Sequence, residues 1–532
     1  MPPKSTARWP ALLIALGAAL AFCLPLVFLL AAGGTHLPFS CETLAFRFFG
    51  SERVLDGEGG TVWPAQGHLM MIFQNLILAG LRIFWADDFK TTLHLYGIGT
   101  NVAVGTALFG LYALAWRDRL LLLSDKLLLL VLGPATILGT VHAGFYYSLL
   151  PDYYAFNLLL ISLSVYLALH YWRNPAPFTL RDAVITGLLA GVAMANKITL
   201  LGPMGVVGLL ALSRSPVSVL LFRNRVLVAG LSCLAAYALV FLAAYHFRPG
   251  DALTGVRHSF SFLEAAGDEV DFWETNFKTF LQSYNYEKIF FLWCLATLFV
   301  GVELVRLRAW RAGLPLLANL LVAALLGLGL QKRGAGTTFF EVSSILAGLT
   351  ALMFAVGLGL GPRPKWTLAL PLLIFAGAVQ QFDFAHNWFV VSKSRVLNRT
   401  AWEVHEHAKE FGQPIVVVIP DMSYYTGSSI EELLQTSFFN SQYGPPSARA
   451  SARYLAGTTY RAEPGAIAAG TTVIWFEKWD LAANRPLRDT NADEGRLWAP
   501  LIDLVGFNES RSWRTGYSGQ IVVSVCSVKR VP

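Results

Sequence analysis

The chain has 532 residues, 55% of them hydrophobic and only 14% charged, with a mean hydropathy of +0.51. Soluble domains carry about 25% charged residues, which excludes a soluble globular protein. Apolar runs near or beyond the ~20 residues that span a bilayer make this a polytopic helical membrane protein. The runs are too long and too uniform for barrel strands, and the net charge of +7 sits in short basic clusters between runs, as orientation signals do, so nucleic acid is not implied.

The first apolar run, residues 10–32, follows Lys4 and Arg8 and is too long for a signal peptide. It is expected to be a retained span leaving the cytoplasm. Next comes the stretch around which the chain is organised, the loop 34–90. It holds the acids Glu42, Glu52, Asp56 and Glu58, and a loop of this length in a compact membrane domain is uncommon unless it works. Within it, residues 67–85 are apolar but interrupted by His68, Gln74, Asn75 and Arg82. That pattern suits a helix lying at the membrane surface.

With the N-terminus inside, spans follow at about 11–33, 91–115, 127–147, 154–171, 183–198, 199–213, 226–246, 289–305, 313–330, 341–360 and 367–381, about 11 in all. Each inward turn is then basic: Arg117 and Arg119; Arg173 and Arg181; Arg214, Arg223 and Arg225; Arg306, Arg308 and Arg311; Arg363 and Lys365. If 67–85 crossed, every later turn would invert, so the positive-inside rule keeps it on the surface. A second outer loop, 248–288, carries Glu264, Asp268, Glu269, Asp271 and Glu274, which read as a solvated face.

From about residue 391 the composition gains His, Asn, Asp and Glu. PIVVVIP, TTVIWFEKW and GQIVVSVCSV read as strands between helical stretches. The expectation is a membrane domain over 1–390 and a small α/β extracytoplasmic domain over 391–532. His405-Glu406-His407 is not a metal site on a helix, because residues two apart point to different faces. The five cysteines, Cys23, Cys41, Cys233, Cys294 and Cys526, show no metal or redox spacing.

The exceptional polar residues gather at the outer face: Glu42, Asp56 and Glu58 in the first loop, Asp152 entering the fourth span, Lys197 leaving the fifth, and Lys332-Arg333 leaving the ninth. Charges at the membrane boundary are costly unless paired or facing a watery cavity. Lys197 and Asp152 could instead pair with each other, and Lys332-Arg333 could anchor a span end to headgroups. Together, acids that can take a proton lie beside cations that can hold a phosphate. Displacing a phosphate leaving group from a membrane lipid needs both.

At these residues the chain resembles the GT-C glycosyltransferases that use polyprenyl-phosphate sugars, in the protein-mannosyltransferase and aminoarabinose-transferase branch. Four ordered motifs carry the resemblance over about 1–390: CETLAF followed by WPAQGHLMMIFQNLIL; LLPDYYAFNLLLISLSVYLAL; GLLAGVAMANKITLLGP, with Asn196 where Thr is commoner; and QKRGAGTTFFEVSSILAG. The chain departs from the family at Cys41-Glu42, where adjacent acids are usual. The resemblance implies an inverting transferase at the outer face of a bacterial inner membrane. Its donor would be a polyprenyl-phosphate sugar and its acceptor a lipid, glycan or protein. Glu42 is the expected base, with Asp152 orienting the acceptor or an ion and Asp56 in reserve. Lys197, Lys332 and Arg333 are the expected phosphate-binding cations. No cofactor is required by the sequence, and a divalent metal is left open. The competing class is a transporter or lipid flippase, which usually shows internal repeats that this chain lacks.

Overall fold

The computed structural model describes residues 51, 54–56, 67–85, 89–138, 153–197, 200–213, 219–254, 257, 287–308 and 313–329, helical turns within 345–357, and the backbones of strands within 415–528. The helices are α1 (His68–Trp85), α2 (Phe89–Arg117), α3 (Leu123–Leu138), α4 (Tyr153–Arg173), α5 (Leu180–Asn196), α6 (Leu201–Ser213), α7 (Val219–Ala244), α8 (Glu287–Leu307) and α9 (Gly313–Gly329). Among the described residues three stretches are long and apolar enough to cross a membrane: Leu95–Arg117, Arg223–Ala244 and Phe290–Leu307. They coincide with the second, seventh and eighth expected spans. The first and eleventh expected spans lie outside the described residues.

The helices sort into a bundle with two distinct ends. α5 starts on a capping box: Asp182 N–H donates to Thr179 Oγ1 at 3.2 Å, and Thr179 N–H donates back to Asp182 Oδ2 at 2.8 Å. This reciprocal pairing satisfies the orphan donors of a first turn. α5 then runs parallel to α7 at very close range. A Cβ built on Gly187 would meet Ala229 O at 2.3 Å, and one on Gly191 would meet Cys233 O at 2.2 Å. The two helices therefore finish at the same end. α2 and α4 finish at the opposite end, where α5 begins.

That opposite end is held by ion pairs. The Asp118 carboxylate accepts from His170 Nδ1 at 2.6 Å and from the Tyr166 hydroxyl at 3.3 Å. Arg173 grips the buried Asp125 with two bonds of 2.8 Å. Lys126 Nζ donates to Trp116 O at 2.7 Å. Burial pushes the Lys126 ammonium below the ordinary lysine value, while Asp118 and Asp125 pull it back. Planar bidentate pairing is what allows a guanidinium to sit buried against a carboxylate.

The core lies between α4, α5, α6, α8 and the turns of 345–357. Ile161, Leu169, Ala193, Val206, Ala296, Val300 and Met353 are at its centre. α8 meets α9 through a polar contact, with Trp293 Nε1 donating to Asn319 Oδ1 at 2.9 Å. Cys233 and Cys294 are half-buried free thiols.

In the C-terminal part the backbone forms a six-stranded sheet of β1 (Ile415–Ile419), β2 (Arg453–Ala456), β3 (Thr472–Asp480), β4 (Arg485–Pro486), β5 (Phe507–Thr515) and β6 (Ile521–Val528). The order is β2-β1-β3-β6-β5, with β4 paired to β3. β1 is parallel to β2 and β3, whereas β6 is antiparallel to both β3 and β5. The sheet is thus mixed, as in proteins that interleave strands with helices.

Candidate functional site

Lys197 is the residue immediately after α5, with an extended backbone (φ −156°, ψ 128°). Its N–H still donates to Ala193 O at 2.9 Å, and its carbonyl accepts from Leu200 N at 3.0 Å. The break between α5 and α6 is therefore fixed on both sides of a cation that is only 9% exposed. A buried ammonium is costly unless something polar faces it.

The first turn of α1 lies against this break. Gly67 N–H donates to Asn196 O at 2.6 Å, and Met70 N–H donates to Asn196 Oδ1 at 3.4 Å. His68 Nδ1 donates to Ala195 O at 2.9 Å, which places the ring proton on Nδ1. On the third side, Asn196 Nδ2 donates to Asn157 Oδ1 of α4 at 2.8 Å. Two carbonyls at the end of α5, of Ala195 and Asn196, are thus satisfied by the His68 ring and Gly67 N–H, and the Asn196 side chain takes Met70 N–H from the first turn of α1. The positive end of one helix dipole meets the negative end of the other, a favourable arrangement. Gly67 takes φ 82°, which its missing Cβ permits.

From there α1 passes the end of α7. The His68 ring packs on Phe241 at 4.5 Å between centroids, and Asn75 Nδ2 reaches Ala244 O at 3.4 Å. Along its other side Ile77 touches Gly99 of α2. The face of α1 turned inward is mixed: His68, Gln74 and Asn75 are buried there together with Met70, Met71 and Leu78. The face turned outward carries Phe73, Leu76, Ile83 and Phe84. A surface helix in water would not leave these large apolar side chains exposed. Lipid on the outward side accounts for them, while the buried His68 and Asn75 serve the contacts with α5 and α7.

Of the residues expected in the site, the structure describes Asp56 and Lys197; Glu42, Asp152, Lys332 and Arg333 lie outside the described residues. Asp56 receives Arg82 through bonds of 2.7 and 3.3 Å to its two oxygens. Arg82 sits about 21 Å further along α1 than His68 at the usual rise per residue. Asp56 and the Ala195–Asn196 pair that precedes Lys197 thus meet different parts of the same helix. Asn157, Asn196 and His68 were not among the expected site residues. Asn196 did stand out as a departure from the family pattern, and His68 as a polar interruption in an apolar run. Among the described residues no three His, Cys, Asp or Glu side chains gather as metal ligands.

No family model matches the chain, and no curated protein matches it. Among solved structures it is similar to the archaeal oligosaccharyltransferase AglB from Archaeoglobus fulgidus. In complex with an inhibitory peptide and a dolichol-phosphate, that protein gives 13% identity and a TM-score of 0.44 over 81% of this chain. The forms tethered to an acceptor peptide and without ligand each give 12% identity and a TM-score of 0.41. This chain spans 63–64% of the length of the solved chains it matches.

Proposed function

We propose that the chain is a membrane glycosyltransferase of the GT-C type. It moves a sugar from a polyprenyl-phosphate donor to a lipid, glycan or protein hydroxyl at the outer face of a bacterial inner membrane. The observation that carries this reading is the buried, backbone-fixed Lys197 at the α5–α6 break, opposite the ion-paired end of the bundle. A cation held away from water stabilises the charge that develops on a departing phosphate far more than a hydrated one does.

In the reaction the acceptor oxygen attacks the anomeric carbon as the carbon–oxygen bond to phosphate breaks. The bonding pair leaves on the phosphate oxygen, and the acceptor proton passes to a carboxylate. Glu42 is the proposed base, with Asp152 orienting the acceptor. Asp56 is a weaker candidate while both its oxygens are engaged by Arg82. Lys332 and Arg333 would share the phosphate with Lys197. The division at residue 390, with an outer C-terminal domain over 391–532 that recognises the acceptor or caps the cavity, belongs to the same proposal.

The test is transfer by the purified chain from a radiolabelled polyprenyl-phosphate sugar. Release of lipid phosphate with label moved to an acceptor is expected. Glu42→Gln should lower turnover by about 10²–10⁴-fold, the range of general base catalysis. Label that stays on the lipid, with every envelope acceptor fraction, would move the chain to the transporter class.

A further inference from the structure

Asn196 does more than end a helix. It is fully buried and ties the end of α5 to two further helices: its carbonyl and Oδ1 take Gly67 N–H and Met70 N–H at the start of α1, and its Nδ2 reaches Asn157 on α4. The residue it immediately precedes is Lys197. A long flexible ammonium stem reaches from wherever its backbone is held, so the fixing of that backbone sets the point from which it acts. That backbone leaves α5 in an extended conformation directly after a residue tied to both α1 and α4. His68 adds a second tie one residue earlier, at Ala195 O.

Resting on the proposed role of Lys197 at a lipid phosphate, we propose that Asn196 and Asn157 are positioning residues that set this chain's affinity for a polyprenyl phosphate by fixing Lys197, with the first turn of α1 as the third support. Neither asparagine touches the phosphate. α1 continues from the acidic loop 34–66, so the same junction joins the cation to the segment that carries the loop acids.

The full chain in detergent is tested by equilibrium binding of a polyprenyl monophosphate, with the unphosphorylated polyprenol as control. Lys197→Ala, Asn196→Ala and Asn157→Ala should each weaken binding of the phosphate about tenfold and leave polyprenol binding unchanged. The double variants Asn196→Ala/Lys197→Ala and Asn157→Ala/Lys197→Ala should bind no more weakly than Lys197→Ala alone, because residues acting through one group do not add. A merely structural asparagine would lower thermal stability and leave the affinity of the folded fraction intact. If Asn196→Ala does not fold, the Asn157→Ala cycle carries the test, since it removes a single side-chain hydrogen bond and leaves the α1–α5 backbone bonds in place. Unchanged affinity in folded Asn157→Ala, or additive losses in the cycle, overturns the positioning role while the role of Lys197 stands. Wild-type binding of the phosphate no tighter than of the polyprenol, or an unaffected Lys197→Ala, removes the underlying reading instead.

Discussion

Gln74 poses the sharpest question at the scale of single residues. It is fully buried, and neither its amide oxygen nor its amide nitrogen has a hydrogen-bond partner among the described residues. Leaving a buried polar group unsatisfied costs about 1–3 kcal/mol, and such groups persist in native proteins where they serve something other than stability. Gln74→Met keeps the length of the side chain and removes both polar atoms. The variant should be about 1–2 kcal/mol more stable, within that same range, and should unfold at a higher temperature in detergent. A loss of transfer activity alongside the gain in stability would mark Gln74 as a polar contact of the cavity. A fall in stability would show that the amide is satisfied in the membrane. Arg82 gives the opposite case: its charge is matched by Asp56, and the exposure of that carboxylate limits the pair to roughly 0–1 kcal/mol.

At the scale of elements, the α5–α7 contact is the least forgiving in the bundle. The backbone of α7 occupies the space a side chain would need at Gly187 and Gly191, so the two helices approach as small-residue stripes do in lipid. Gly191→Ala should cost at least ~2–3 kcal/mol, the upper part of the range for overpacking, or prevent the chain from accumulating. Gly230→Ala meets nothing within 4 Å and should be neutral or stabilising by up to ~1 kcal/mol from helix propensity. Thermal unfolding of the pair separates close approach from a general dislike of substitution. Much of this element map was legible in the sequence, because a run of apolar residues bounded by basic turns fixes a helix by length alone. The ends of α2, α4, α5 and α7 fall within a few residues of expectation, apart from an earlier start to α7. The sense of α1 was not legible. Its polar positions repeat on one face, but periodicity reports only that two faces differ, and in a bilayer the outward face is the apolar one. Nor could the sequence pair His68 with Ala195 or Asn196 with Met70. Those bonds join residues more than a hundred positions apart, and no local pattern encodes them.

For the whole molecule, the polarity of the bundle makes one prediction about its orientation. α2 and α4 finish, and α5 and α7 begin, at a single end, where Arg117, Arg119, Arg173, Arg181, Arg223 and Arg225 collect. The end where α5 and α7 finish carries the Asn196–Lys197 junction and α1. Short basic turns stay in the cytoplasm, so the first end faces in and the junction faces out. Chain order then carries this to the residues that follow. α8 ends in the basic turn at Arg306 and Arg308 and α9 begins at Gly313, so this turn returns to the cytoplasm. Two further expected spans, at about 341–360 and 367–381, leave the six-stranded sheet outside. A periplasmic reporter fused after Pro532 should therefore be active, and the same reporter inserted between Arg308 and Gly313 should be silent. The two fusions also test α1. Were α1 a true span, both results would exchange, and Lys197 would stand on the cytoplasmic side. An active reporter at Arg308 with a silent one at Pro532 would thus overturn the orientation and the outer-face site together. The expected pattern keeps the buried cation, the α1 junction and the C-terminal sheet on one side of the membrane.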